Sequence, residues 1–403
     1  MIKRLFLVAA AFCFLSLGSP AQHRRIPSYP FARLDLNRIQ YPSGKSPEFE
    51  LFLRKLDTLA TYSSGSVRIL HVGGSHVQAG IWTQQLRRNL LSMRYGMDGG
   101  RGMVFPFNAA GTNTPAGYVS RSAGEWSYFR CLKDGGEPLG VTGMAVSTAD
   151  TAAVVMIDMT EQNPREWAPG FTFKSVDILG HGTASPVVVL GRDTVEGVWN
   201  GWKYHFDLPH YSEYLQVRFR GMPGEFTLKG IYLDKPCGGL TVSECGVNGA
   251  STRSWLSCSE FGRDIELVRP DLVIFSIGIN DTQGVSFDSE RFIANYRELV
   301  REVRAVNPRC AILFTTNNDS CRHRSDPNPF GIDQQQAFWR LADSENAAIW
   351  DLFEIMGGMG SSSDWLAAGL MKSDLVHFTA SGYDLLGDLL FNAIMDASRK
   401  RGR

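Results

Sequence analysis

One stretch limits the possible fold more than any other: residues 67–80, V-R-I-L-H-V-G-G-S-H-V-Q-A-G. Val67, Ile69, Leu70 and Val72 form the short apolar run expected of a strand buried in a parallel sheet. Two glycines turn the chain, Ser75 sits at the turn, and Ile81, Trp82, Leu86, Leu90 and Leu91 then recur near the helical period. Strand, glycine turn, serine and helix is how an α/β fold presents a nucleophile at the carboxyl end of its sheet. The helix behind Ser75 is expected to offer backbone N–H groups and a positive dipole end to an oxyanion. Taken alone, the same letters also describe an ordinary strand-to-helix connection, so the reading needs partners elsewhere in the chain.

Those partners lie far downstream. In Ser373–Thr379 an acid, Asp374, precedes His377 by three residues, a spacing that lets a carboxylate reach the imidazole Nδ1–H and leaves Nε2 free as a base. Leu272–Ile277 is an apolar strand running into Gly278-Ile279-Asn280-Asp281, where the Asn280 amide is placed to donate to an oxyanion. Gly246-Val247-Asn248-Gly249-Ala250-Ser251 is a second glycine turn, with one more backbone N–H on offer.

In this order the four pieces resemble the SGNH (GDSL-type) serine hydrolases, named for Ser, Gly, Asn and His in separate blocks. The resemblance implies Ser75 as nucleophile, Asp374 and His377 as its acid and base, and an oxyanion hole of Ser75, Gly249 and Asn280. It is nearest to bacterial members similar to peptidoglycan O-acetylesterases, through Ser75-His76-Val77-Gln78-Ala79-Gly80 and through Trp365, Gly369, Leu370, Asp374, Val376–Thr379, Gly382 and Tyr383. One letter departs: the family's Gly-Asp-Ser reads Gly73-Gly74-Ser75 here. Glycine at that point is expected to loosen the turn, so Gly74→Asp is expected to raise kcat about tenfold, the equivalent of roughly 1.4 kcal/mol. The competing expectation is that the loops have repacked around the missing carboxylate. Asp would then be buried without partners, and stability would fall with no kinetic gain.

Residues 1–21 read as a secretory signal, with Lys3 and Arg4, an apolar run Leu5–Leu17, and Ser19-Pro20-Ala21 as cleavage site. The run is shorter than the ~18 residues of a membrane span, and no other stretch approaches that length. The expected product is exported, periplasmic or extracellular, with no transmembrane segment. Residues 22–116 then form a lead-in, with a helix at Pro47–Tyr62, and the first part of the hydrolase core. Within it Tyr95–Pro115 is a Gly- and Asn-rich loop able to line a cleft or simply to connect.

From 117 to 236 short alternating runs separated by turns indicate a β-sandwich-like insertion, similar to the carbohydrate-binding-like insert of the O-acetylesterases. Trp126, Trp167, Trp199, Trp202, Tyr204, Tyr211 and Tyr214 are its candidate sugar-stacking residues, against a competing role as core. Residues 237–403 return to alternating strands and helices, completing a three-layer α/β core around a parallel sheet.

Lysines and arginines number 41 and acids 41; losing Lys3 and Arg4 leaves 39 against 41, or −2, which points to neither nucleic acid nor anionic membrane. The cysteines Cys131, Cys237, Cys245, Cys258, Cys310 and Cys321 remain after processing, readable as disulfides or as scattered buried thiols. With no C-x-x-C pair and no H-x-x-x-H pair, zinc chemistry is disfavoured, and no cofactor is implied. The expectation is an exported serine esterase that removes O-acetyl groups from a glycan, with peptidoglycan leading. A dietary, plant or capsular polysaccharide acetylesterase is the alternative, and a non-catalytic glycan-binding protein on a hydrolase scaffold the alternative of another class.

Overall fold

The computed structural model describes residues 23–133, 136–160, 171–221, 223–322 and 325–401. The expected signal segment and Trp167 lie outside them. At the centre is a sheet in the order Ile39–Gln40, Ala348–Trp350, Ala311–Thr315, Leu272–Ser276, Ser66–Gly73, Gly239–Gly246. All neighbours are parallel except the Ile39–Gln40 edge. The apolar runs are what make these central strands: Val67, Ile69, Leu70, Val72 and Leu272–Phe275 are fully buried.

In chain order the five parallel strands run 2-1-3-4-5 across the sheet. The winding therefore reverses between Ser66–Gly73 and Leu272–Ser276, and a crevice opens there beyond the carboxyl ends. Right-handed crossovers put the helices of the two winding directions on opposite faces. Pro47–Tyr62, Ile81–Leu91 and Ala380–Arg401 pack as one group, and Phe261–Val268, Ser289–Val306 and Gly331–Ser344 as another. The α/β class expected from the sequence is what the chain adopts.

Between Ile81–Leu91 and Gly239–Gly246 the chain leaves this sheet and builds two antiparallel ones. The first is Asp193–Glu196, Ser185–Leu190, Tyr214–Arg220, Val154–Asp158 and Val119–Ala123. The second is Val198–Trp199, Lys203–Ser212, Phe173–Gly182, Phe226–Asp234, Met144–Thr148 and Ser127–Arg130. Phe219 of one meets Phe226 of the other at 5.1 Å between ring centroids, so the sheets share an aromatic core. Trp126, Trp202 and Tyr204 are partly buried against the hydrophobic core of the molecule, whereas Trp199, Tyr211 and Tyr214 are exposed.

Several local features differ from the sequence reading. The helix behind Ser75 is a single turn, Ser75–Gln78, and the long helix starts afresh at Ile81. Gly102–Val104, within the expected loop, pairs with Phe226–Asp234 of the β-rich region. The lead-in adds an edge strand, two residues long, to its helix. Of the two cysteine readings, the structure has the thiols: all six described cysteines are free, and only Cys237 is exposed.

Candidate active site

Strand Ser66–Gly73 delivers the serine. The Gly74 carbonyl accepts the Val77 and Gln78 N–H groups at 3.1 and 3.0 Å, which closes the turn. The Gly73 carbonyl is held by the Val247 N–H at 3.2 Å and the Trp255 indole at 3.3 Å. The turn is therefore hydrogen-bonded on both sides. Ser75 Oγ lies 2.7 Å from His377 Nε2.

His377 sits on a loop clamped back on itself, with Lys372 N–H to the His377 carbonyl at 2.8 Å and Thr379 N–H to the Leu370 carbonyl at 2.9 Å. Its Nδ1 is 2.9 Å from Asp374 Oδ2, while Asp374 Oδ1 accepts the Val376 and His377 N–H groups, each at 2.9 Å. A carboxylate at Nδ1 fixes the proton there and leaves Nε2 as the acceptor. Burial pulls the Asp374 pKa upward, but the two backbone N–H groups and the ring outweigh it, so the carboxyl sits below its usual range and stays ionised. The tight D-x-x-H turn puts Leu375 in the left-handed region, at φ 55°, a conformation costing roughly 1–2 kcal/mol for a residue with a side chain. The Cys321 N–H, bonded to the Leu375 carbonyl at 2.9 Å, helps hold it.

Three donors converge on the same cleft. Among the described residues, neither the Ser75 N–H nor the Gly249 N–H is bonded to a protein acceptor. Gly249 adopts φ 84°, which glycine reaches without penalty. Asn280 Nδ2 gives one proton to the Ala250 carbonyl at 3.0 Å, keeping the other. Asp281 binds Thr252 instead of His377, accepting its N–H at 3.0 Å and its hydroxyl at 2.5 Å. Burial raises the Asp281 pKa to about 6. The cleft, about 920 Å³, is lined by Ser75, His377, Gly249, Asn280, Asn113 and Lys372 among others. The Tyr95–Pro115 loop thus does reach the cleft, through Asn113.

Sequence reasoning missed Gln78. Its Oε1 accepts the Asn248 N–H at 2.6 Å, and its Nε2 donates to Thr112 Oγ1 at 3.0 Å and Asn113 Oδ1 at 3.1 Å. Gln78 thereby ties the loop carrying Gly249 to the serine turn. The letters S-H-V-Q held a hint only in retrospect, since a glutamine on one turn says nothing of its partner 170 residues on. His76, the residue beside the serine, bonds to Tyr383 Oη at 2.8 Å and packs its ring 5.3 Å from that of His377. Burial, then the nearby His377, push its pKa down to about 3, so it stays neutral. Among the described residues no group of three or more His, Cys, Asp or Glu side chains is placed to hold a metal.

Comparison with known proteins finds one family match and several solved structures of similar fold. Residues 201–385 match the GDSL-like Lipase/Acylhydrolase family. That span includes Gly249, Asn280, Asp374 and His377 but not Ser75, which the β-rich region separates from the rest. A solved peptidoglycan O-acetylesterase is similar over 90% of this chain and 99% of its own, with TM-score 0.73 and 24% identity. Its likeness extends through the β-rich region and shows a shared fold. A GDSL-like lipase from Bacteroides thetaiotaomicron aligns over 39% of this chain and 76% of its own, at 18% identity and TM-score 0.32. No curated protein matches. The resemblance read from the four blocks is borne out by the family match over residues 201–385 and by the shared fold.

Proposed function

We propose that the protein is an exported serine esterase that removes O-acetyl groups from peptidoglycan. The observation that carries the reading is the hydrogen-bonded chain Ser75–His377–Asp374 at the head of a cleft with three converging donors. Ser75 Oγ attacks the acetyl carbonyl carbon while His377 Nε2 takes the hydroxyl proton. Asp374, ionised, orients the ring and stabilises the imidazolium. The carbonyl oxygen becomes an oxyanion held by the Ser75 and Gly249 N–H groups and the free Asn280 amide proton, each such donor being worth roughly 10²–10³ in kcat. Collapse expels the sugar oxygen, which receives the proton from His377. Water, deprotonated by the same nitrogen, then releases acetate from Ser75. Peptidoglycan as the substrate is supported by the fold shared with a peptidoglycan O-acetylesterase, β-rich region included.

Acetate release from O-acetylated peptidoglycan tests the reading. Ser75→Ala is expected to lose roughly 10⁴-fold or more in kcat, with a melting temperature within a few degrees of wild type. Activity retained in Ser75→Ala would mean another nucleophile. A wild type that turns over neither peptidoglycan nor p-nitrophenyl acetate would leave only a binding role.

A further inference from the structure

The side chains that brace the Gly249 loop also set what the cleft offers a sugar, because one backbone group fixes the direction of three amides in a row. The Asn248 N–H can only donate, so the Gln78 atom it meets at 2.6 Å is the oxygen, Oε1. Gln78 Nε2 is then the donor facing Thr112 Oγ1 at 3.0 Å and Asn113 at 3.1 Å, so the Asn113 atom it meets is Oδ1. That oxygen lies 2.8 Å from the Asn248 side chain, which must present Nδ2 to it. An isolated surface amide has no preferred direction, but here a main-chain donor dictates all three.

Two polar groups are left over. Among the described residues nothing donates to Asn248 Oδ1. Asn113 Nδ2 reaches only the Gln78 carbonyl, at 3.5 Å, the outer limit of a hydrogen bond, and has a second proton to give. Both asparagines line the cleft together with Ser75 and His377. A fixed acceptor and a fixed donor suit the N–H and C=O of amides on a substrate. An acetamido group also carries a methyl, which needs apolar surface. Ala79 and Ile81 supply it in the same lining, and the Ala116 N–H ties the Asn113 loop to the Ala79 carbonyl at 3.2 Å. None of these four lining residues is charged, which suits a neutral group.

We propose that Asn113 and Asn248 determine the specificity of the cleft by reading the acetamido groups of an amino-sugar strand. Asn113 Nδ2 donates to an acetamido carbonyl, and Asn248 Oδ1 accepts an acetamido N–H. This specificity rests on the esterase reading above and deepens it, since both alternating sugars of peptidoglycan carry an acetamido group. The sugars of cellulose and xylan bear a hydroxyl at that carbon, with neither the carbonyl nor the methyl. Gln78 then has two tasks, bracing the Gly249 loop and aiming the asparagine pair.

The test compares two oligosaccharides with the same backbone, each O-acetylated on its primary hydroxyls. A chito-oligosaccharide carries an acetamido group on every sugar, and a cello-oligosaccharide has a hydroxyl in its place. The ratio of their kcat/KM within one protein cancels any general loss of catalysis. Two hydrogen bonds of ordinary net strength correspond together to about tenfold, so the wild type should prefer the chito-oligosaccharide by about that factor. Asn113→Asp keeps the oxygen that accepts from Gln78 and Asn248 but replaces the donor with an acceptor, and Asn113→Ala removes both. Asn113 is exposed, melting temperature checks the fold of each variant, and each should lower the preference about fivefold. A wild type without the preference, or variants that keep it, would overturn the assignment and leave the esterase reading standing. Calorimetry of the unacetylated oligosaccharides on Ser75→Ala repeats the comparison without turnover. Tighter binding of the chito-oligosaccharide that is lost with Asn113, in a protein that cleaves no ester, would refute the esterase reading and keep the amide recognition. Equal binding of the two would refute the recognition.

Discussion

Gly74→Asp, which writes the family's usual letter back into the turn, is expected to damage the enzyme. Gly74 has φ −92°, so a side chain brings no left-handed strain. A Cβ there would lie 3.5 Å from both the Ala250 carbonyl oxygen and Asn280 Nδ2, and 3.9 Å from the Val247 carbonyl oxygen. That is ordinary contact, and alanine should be tolerated, with kcat within about threefold of wild type. Aspartate reaches further, its oxygens lying about 2.4 Å beyond Cβ by standard bond lengths. Turned towards these neighbours, they would face two carbonyl oxygens, which repel them, and one N–H donor, the Asn280 amide.

Asn280 already spends one proton on Ala250, so the carboxylate would capture the proton left for the oxyanion. Losing one oxyanion donor costs roughly 10²–10³ in kcat, about 2.7–4 kcal/mol. A fixed negative charge beside the developing oxyanion adds to that. We expect kcat on p-nitrophenyl acetate to fall about 100-fold, with KM changed only a few-fold. Steady-state kinetics and a melting curve on Gly74→Ala and Gly74→Asp are sufficient. A Gly74→Asp enzyme with kcat at or above wild type would refute the argument and restore the loose-turn expectation.

Gln78→Ala removes the acceptor of the Asn248 N–H and frees the loop carrying Gly249. We expect kcat to drop about tenfold, the effect of a misplaced oxyanion donor, with KM nearly constant; equal loss in kcat and stability-limited expression, rescued by cooling, would argue for a purely structural role. Stability should fall on acidification. Burial, with Arg87 adding to it, lowers the His71 pKa to about 3, and His76 is lowered to about 3 as well. Between pH 6.5 and 3 the unfolded chain therefore binds more protons than the folded one, so this stability is complete above pH 6.5 and lost as pH falls through the window. Asp264 and Asp281, raised to about 6 by burial, act in the opposite sense between about pH 6 and 4, but over a smaller shift. A melting temperature that stays level or rises from pH 7 to pH 4 would contradict this balance.

Local patterns made much of the architecture legible. The apolar runs Val67–Val72 and Leu272–Phe275 announced buried strands because such strands need apolar side chains on both faces. Helix Pro47–Tyr62 was legible because an amphipathic stripe recurs every three to four residues. The Asp374–His377 pair was legible because three residues on one turn fix its geometry. Signals that are short or not periodic were lost: Ile39–Gln40 is two residues long, and the pairing of Gly102–Val104 is decided by its neighbour.

Everything that depends on distant partners was decided by the tertiary structure. Only the 2-1-3-4-5 strand order carries Ser75 to a histidine 302 positions away, and puts Gly249 and Asn280 at the same end of the sheet. Only the packed surroundings of Gly74 show two carbonyl oxygens and the Asn280 amide within 4 Å of where a side chain would start, where the letter alone suggested a loose turn. The Asn248 N–H on Gln78 Oε1 likewise joins the Gly249 loop to the serine turn through residues that share no motif. A sequence states each residue's local preference. Which surfaces meet is set by how the whole chain buries its apolar area, and that information belongs to no short segment.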